Sequence, residues 1–250
     1  MGGLILKIFT KRQVRYQDMN EIINFNALTR NKWVLEKAKE IPEGASVIDV
    51  GAGECAYKLL FAHCEYKAQD FCQYSGTTEG TQQEGWEYGR IDYVSDIDNI
   101  PVPDSSFDVA LCTEVLEHVP RPIDALKEIG RILKTDGILF LSAPLGSGLH
   151  QQPFHFYGGF TPHFYNKYLT EFGFKIIEIK PIGGLFSHVA QELHRVGRVL
   201  LERKSSRFTF IHKFIFMNWL PRYLSRLEKD ILIEEFTVGY LIKAQKIQYV

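Results

Sequence analysis

A doubly wound, seven-stranded, mostly parallel α/β sheet is the fold this sequence predicts, and three observations predict it. Short apolar runs alternate with amphipathic stretches, so strands must be joined by crossover helices. A glycine-rich turn, Gly51-Ala52-Gly53, follows the first of those runs directly. Aspartates (Asp49, Asp70 and Asp96) stand at the ends of three successive runs, where the ligand crevice of such a sheet opens. The 250 residues, 45% hydrophobic and 24% charged, have ordinary globular composition and are enough for one large domain. That excludes wholesale disorder, a collagen-like chain and a multi-span membrane protein.

Residues 1–44 read as a partly helical lead-in. A helix over 31–40 takes Asn31 as its N-cap and spaces Trp33 with Lys37, and Val34 with Ala38, at i,i+4; Pro42 and Gly44 end it. The core, 45–182, carries six strands at 46–50, 66–70, 90–94, 107–112, 138–142 and 175–180. A helix over 55–63 follows the glycine turn. Another over 122–133 has Pro122 in its first turn, and the turn Thr135-Asp136-Gly137 introduces the fifth strand. A helix ending at 169–172 is closed by Gly173. Residues 183–230 form a helical insertion, with helices over 186–203 and 208–229, the second interrupted by Pro221. The segment 231–250 supplies the last strand, at 235–245. All of this reads as a single domain, 1–250.

Charge restricts the partners. With 29 Lys/Arg and 30 Asp/Glu the net charge is −1, so no nucleic acid is expected. The balance is uneven, since Arg195 to Lys229 holds nine basic residues against two acids and is rich in aromatics. Its helix groups Thr209, His212 and Lys213 on one side. Packing on the core, or a lid or dimer contact, is favoured there over peripheral membrane contact through 207–229. Cys55, Cys64, Cys72 and Cys112 form no CxxC pair, so neither a disulfide framework nor a metal site is expected. The apolar run at 4–9 is too short for a signal peptide, and no stretch reaches about 20 apolar residues. The expected location is the cytoplasm.

The site is read from the ends of the strands. Gly51, Gly53 and Ala56 fit the spacing G-x-G-x-x-G/A, in which the turn admits a ligand to the backbone and a following helix offers free N–H groups. A nicotinamide-dependent oxidoreductase uses the same turn and is the competing reading. Against it, Asp49 occupies a place where such a strand usually keeps an apolar residue. Asp70, 21 positions on, ends a strand in a solvated cleft where a carboxylate accepts both hydroxyls of a ribose. Asp96, before Ile97, offers a carboxylate to an exocyclic amine.

The runs VIDVGAGECAYKLLF, SDIDNIPVPDSSFDVALCTEVLEHV and PIDALKEIGRILKTDGILFLSAP, with Asp70 between the first two, resemble class I S-adenosylmethionine-dependent methyltransferases of the type 11-like subgroup. The resemblance covers 46–144 and extends more weakly to 183. There HQQPFHFYGGFT and FGFKIIEIKPIGG are similar to relatives encoded with polysaccharide-biosynthesis enzymes. It implies a Rossmann-like fold and S-adenosyl-L-methionine as cofactor. Gly51, Ala52 and Gly53 would meet the amino acid end, with Asp49 orienting the turn and the ammonium. Asp70 would take the ribose diol, Phe71 and Ile97 would pack on the adenine, and Asp96 would take its amine. Thr113 and Glu114 would line the pocket floor. Cys55 replaces the usual third glycine.

The acceptor side falls to the loop after the fifth strand, which carries His150, Gln151, His155 and Tyr157. His150 and His155 are the candidate catalytic bases, and His118 caps, packs or touches substrate. The implied activity is methylation of an oxygen or nitrogen on a small molecule, with a sugar or glycan precursor suggested by the resemblance. A non-catalytic S-adenosylmethionine-binding protein is the other alternative.

Overall fold

The structure, a computed structural model, describes residues 21–75 and 86–247. These form two compact units: one of residues 32–180 with those from Gly239 onward, the other of residues up to Asn31 with Pro181–Val238.

The first unit is built on one seven-stranded sheet. Its strands are β1 (Ser46–Val50), β2 (Glu65–Asp70), β3 (Tyr93–Val94), β4 (Phe107–Thr113), β5 (Leu133–Pro144), β6 (Phe174–Pro181) and β7 (Gly239–Lys246). Their order is β3-β2-β1-β4-β5-β7-β6. The pairs β1/β2, β1/β4, β2/β3 and β4/β5 are parallel, and β7 runs antiparallel to β5. The expected mostly parallel, doubly wound sheet is therefore present. The strand order reverses at β1, which has β2 on one side and β4 on the other, so the crevice lies at the carboxyl ends of these three strands.

Burial explains the elements. β4 and β5 are apolar on both faces because helices cover them, and they join one core with α2 (Pro122–Ile132). Ala125, Leu126, Ile129 and Ile132 of α2 are fully buried at helical spacing. In α3 (Pro162–Glu171), Thr161 caps the first turn and Tyr165 and Leu169 reach the core. Trp33 of α1 (Phe25–Ala38) stands edge-on to Phe140, with ring centroids 5.6 Å apart.

Several expected boundaries move, each for a local reason. Helix α1 begins at Phe25, so Asn31 is interior to it and is not its N-cap. The expected helix over 55–63 is a run of turns and one 3-10 segment, Lys58–Phe61. Cys55 adopts φ +54, which breaks a right-handed helix at its start, while Tyr57, Leu60 and Phe61 still bury their side chains. β3 is only two residues long because the Asp92 carboxylate takes the Ala68 N–H (3.0 Å) that a longer strand would pair. The turn before the fifth strand is a bulge inside β5: Asp136 takes φ +64 and the register to β4 shifts there. β7 starts at Gly239, because residues 234–236 close a 3-10 turn first.

The second unit packs α4 (Leu185–Glu202) against α6 (Leu220–Asp230). The Glu228 carboxylate accepts the N–H groups of Gly184, Phe186 (3.1 Å) and Ser187 (3.3 Å), capping α4 from outside its own sequence. α5 (Phe210–Phe214) passes through a π-helical turn, Ile215–Trp219, straight into α6. Pro221 therefore sits in the first turn of α6 and interrupts nothing. Phe210, at 82% exposure, Ile211, Phe214, Trp219 and Tyr223 stay exposed on this stretch. No helix among the described residues is long and apolar enough to cross a membrane.

Candidate active site

The glycine turn is locked to the end of β2. The N–H of Gly51 donates to Gln69 Oε1 (3.2 Å), that of Ala52 to the Gln69 carbonyl (2.9 Å), and that of Gly53 to Asp70 Oδ2 (2.9 Å). The expected array of free N–H groups is thus absent, since the turn's amides are used internally and no α-helix follows. What the glycines provide is backbone shape. Gly51 at φ +69 and Gly53 at φ +51 take the left-handed conformation, and Cys55 at φ +54 shows that the position where the resembled family keeps glycine needs it too. A Cβ on Gly51 would lie 2.5 Å from Val115 Cγ2, and one on Gly53 2.7 Å from the Trp86 ring. Gly51→Ala is accordingly expected to cost about 1–3 kcal/mol of stability. Thermal unfolding checks this, and Val115→Ala should restore part of the loss; an unchanged melting temperature would contradict the packing.

Two buried carboxylates meet beside that turn. Asp49, 2% exposed, accepts a 2.6 Å hydrogen bond from the Tyr66 hydroxyl. Burial, with the Asp70 charge adding to it and the Tyr66 bond opposing, pushes its pKa up to about 7. Asp70, 6% exposed, accepts the N–H of Gly53 on one oxygen and that of Cys72 (3.0 Å) on the other. Burial raises its pKa and these backbone bonds oppose the rise. Asp70 is therefore not the solvated loop-end acid that sequence suggests, but a buried brace of the turn.

The other candidates spread around this pair. Phe71 meets Phe154 edge-on at 4.9 Å. Asp96 is exposed, and Ile97 packs into the core. Thr113 ends β4 opposite Ser142, whose hydroxyl donates to Glu114 Oε1 (2.8 Å) while Glu114 holds φ +54. Sequence did not single out Tyr66, Gln69 or Trp86, yet the three tie down Asp49, Gly51 and Gly53. Their signal was weak, since Tyr66 and Gln69 are ordinary residues of the interior strand β2 and Trp86 lies outside any strand, in the stretch before β3.

The loop after β5 is bolted to a 3-10 turn after β4, Leu116–His118. The N–H groups of Phe156 (2.9 Å) and Tyr157 (3.2 Å) donate to the Glu117 carbonyl, and the Tyr157 hydroxyl donates to the Pro120 carbonyl (3.1 Å). This gathers His118, His150 and His155, with ring centroids 4.5–5.8 Å apart. Burial holds the His118 pKa down at about 4, with the other two histidines contributing, and burial lowers that of His155 as well. The structure thus brings the two expected histidines together and adds His118.

Residues 48–141 match a family described as a methyltransferase domain. The chain carries a methyltransferase domain. The demethylmenaquinone methyltransferase of Bacillus licheniformis is 26% identical to this methyltransferase over 166 residues, 63% of this chain and 71% of its own length. Among solved structures, a putative sarcosine dimethylglycine methyltransferase from Galdieria sulphuraria is similar, with TM-score 0.55, 16% identity, and 89% and 86% of the two chains covered. The [4+2]-cyclase SpnF is similar too, with TM-score 0.54, 16% identity, and 88% and 81% covered. At these identities the likeness is one of fold.

Proposed function

We propose that the methyltransferase binds S-adenosylmethionine at the carboxyl ends of β1, β2 and β4 and transfers its methyl group to an oxygen or nitrogen of a small-molecule acceptor. The observation that carries this reading is the buried acid pair Asp49 and Asp70 beside the Gly51–Gly53 turn, at the reversal point of the sheet. The Asp70 carboxylate accepts the N–H groups of Gly53, Cys72 and Phe71, and of its roughly four lone-pair sites it keeps capacity for a ligand hydroxyl, which suits a ribose. Asp49, buried beside a second carboxylate, favours a nearby cation, and the cofactor brings both an ammonium and a sulfonium. Asp96 serves the adenine amine, Phe71 and Ile97 its faces, and Thr113 and Glu114 the methionine end. When bound, the sulfonium supplies an activated methyl group, so the protein's task is approach geometry and exclusion of water.

The acceptor meets the histidine loop. A sugar or glycan precursor is the class we favour, and demethylmenaquinone, named for the Bacillus licheniformis relative, belongs in the same screen. Calorimetry with S-adenosylmethionine, its demethylated product and NAD tests the cofactor. One site per chain for the first two is expected, and binding of NAD alone would overturn the reading. Methyl-labelled cofactor with candidate acceptors then tests transfer. Binding without transfer to any of them would favour a non-catalytic or differently reactive relative.

Asp70→Ala is expected to weaken cofactor binding about 10- to 150-fold, the 1.5–3 kcal/mol of a hydrogen bond to a charged group. It should also lower stability, because the Gly53 and Cys72 N–H groups lose their acceptor. Calorimetry below the variant's melting point separates the two effects. Full affinity with reduced stability would make Asp70 a brace of the turn alone.

A further inference from the structure

The histidine cluster carries more than acceptor binding. Hydrogen bonds determine which nitrogen of each ring keeps its lone pair. His118 Nδ1–H donates to the Phe154 carbonyl (2.6 Å) and His150 Nδ1–H to the Gly148 carbonyl (2.9 Å), so both present Nε2. The Ser147 hydroxyl donates to the Gly158 carbonyl (3.1 Å), so its oxygen accepts the His155 Nε2–H (3.1 Å) and leaves Nδ1 as the acceptor atom. That Nδ1 is buried and has no hydrogen-bond partner among the described residues.

A carboxylate completes the group. Glu117, 1% exposed, places Oε1 3.8 Å from His118 Nε2. One ligand atom each from Glu117, His118 and His150 lies within 4.8 Å of the others. Ligands around a tetrahedral ion with bonds near 2.0–2.1 Å stand about 3.3 Å apart, so modest side-chain shifts close the set. Imidazoles whose far N–H is held by a backbone carbonyl have the arrangement that orients histidine ligands on metals. Two imidazoles and a carboxylate suit a borderline transition ion better than magnesium or calcium.

We propose that Glu117, His118 and His150 bind a divalent first-row transition ion, with His155 beside it. The site stands on its own geometry. Its use, as a Lewis acid holding an acceptor oxygen next to His155, rests on the methyl-transfer reading.

The test uses chelator-treated full-length protein titrated with Zn²⁺ by calorimetry and with Co²⁺ by visible absorption. One equivalent is expected, with a rise in melting temperature and cobalt d–d bands free of thiolate charge transfer. His118→Ala and His150→Ala should each weaken binding at least about 100-fold, since losing a ligand costs no less than the upper end of what losing a partner hydrogen-bonded to a ligand costs. His150 lies on the surface loop, so its variant should fold even where His118→Ala does not. No saturable binding, unchanged affinity in His150→Ala, or a thiolate band pointing to the cysteines would overturn the site. S-adenosylmethionine calorimetry on the same samples keeps the two claims apart: cofactor binding without metal binding defeats only the ion site, and the reverse defeats only the cofactor reading.

Discussion

Replacing His155 with alanine is expected to lower turnover on the methyl acceptor about 10²- to 10⁴-fold while cofactor affinity stays unchanged. The expectation follows from the position of its proton. Ser147 gives its own hydrogen to Gly158, so His155 must donate through Nε2, and Nδ1 is left as a buried base with no partner among the described residues. A nitrogen in that state is prepared to take a proton from an acceptor hydroxyl as the oxygen attacks the methyl carbon. Phe154, one residue away, touches Phe71, which follows the Asp70 strand, so the histidine loop adjoins the cofactor side of the crevice. Ser147→Ala serves as a positioning control, since it removes the acceptor that sets the tautomer and should reduce turnover less than loss of the ring. Turnover, KM, cofactor affinity and melting temperature of each variant decide the matter. A loss confined to KM would make His155 a binding residue, and a loss that follows melting temperature would make it packing.

The sheet was legible because its signals are local. The apolar runs at Ser46–Val50 and Phe107–Thr113, separated by polar, turn-rich stretches, admit little besides buried parallel strands. Boundaries were less legible where a side chain replaced a backbone partner. Asp92 shortened β3 by taking a β2 amide, and Glu228 capped α4 from 44 positions away. Neither competition leaves a periodicity to read. The helix after the glycine turn failed for a third reason. Its apolar spacing at Tyr57, Leu60 and Phe61 satisfies a 3-10 turn as well as an α-helix, and only the positive φ of Cys55 decides between them.

The candidate site divides along similar lines. Asp49, Gly51, Gly53 and Asp70 were readable because a strand end, a turn and a second strand end place them by sequence distance alone. What those groups do was less readable. The turn's N–H groups look available in sequence, but Gln69 and Asp70 consume them, and β2's role as a brace emerges only from pairing it beside β1. Likewise Glu117 and His118 sit 33 and 32 positions before His150, and nothing short of the bonds from Phe156 and Tyr157 to the Glu117 carbonyl would join them.

Cofactor binding is expected to strengthen as pH rises from about 5.5 to 7, by up to about tenfold per unit, and to level off above. The Asp49 pKa is raised to about 7 by burial, so below that pH the cofactor-free protein holds Asp49 protonated. A cationic ammonium beside it favours the carboxylate, so binding must release the proton, at a cost that vanishes once pH passes about 7. The same shift acts on stability with the opposite sign. Because the folded state binds this proton more tightly than the unfolded chain, its stabilising contribution is full below the ordinary aspartate pKa. The contribution then fades as pH rises through 7, by about 4 kcal/mol in total. Asp92, Asp108 and Glu40, whose pKa values are lowered by their hydrogen-bonded partners despite some opposing burial, work the other way, so the wild-type profile alone mixes both trends. Asp49→Asn isolates the contribution of this one carboxyl. The amide oxygen still accepts from Tyr66 but cannot ionise, so the variant should gain stability relative to wild type between pH 5 and 8. It should also lose the pH slope of cofactor affinity, and calorimetry in buffers of different ionisation enthalpy should show the wild type releasing up to one proton near pH 6 and the variant none. A slope that persists in Asp49→Asn would move the proton to another group and remove Asp49 from contact with the cofactor's charge.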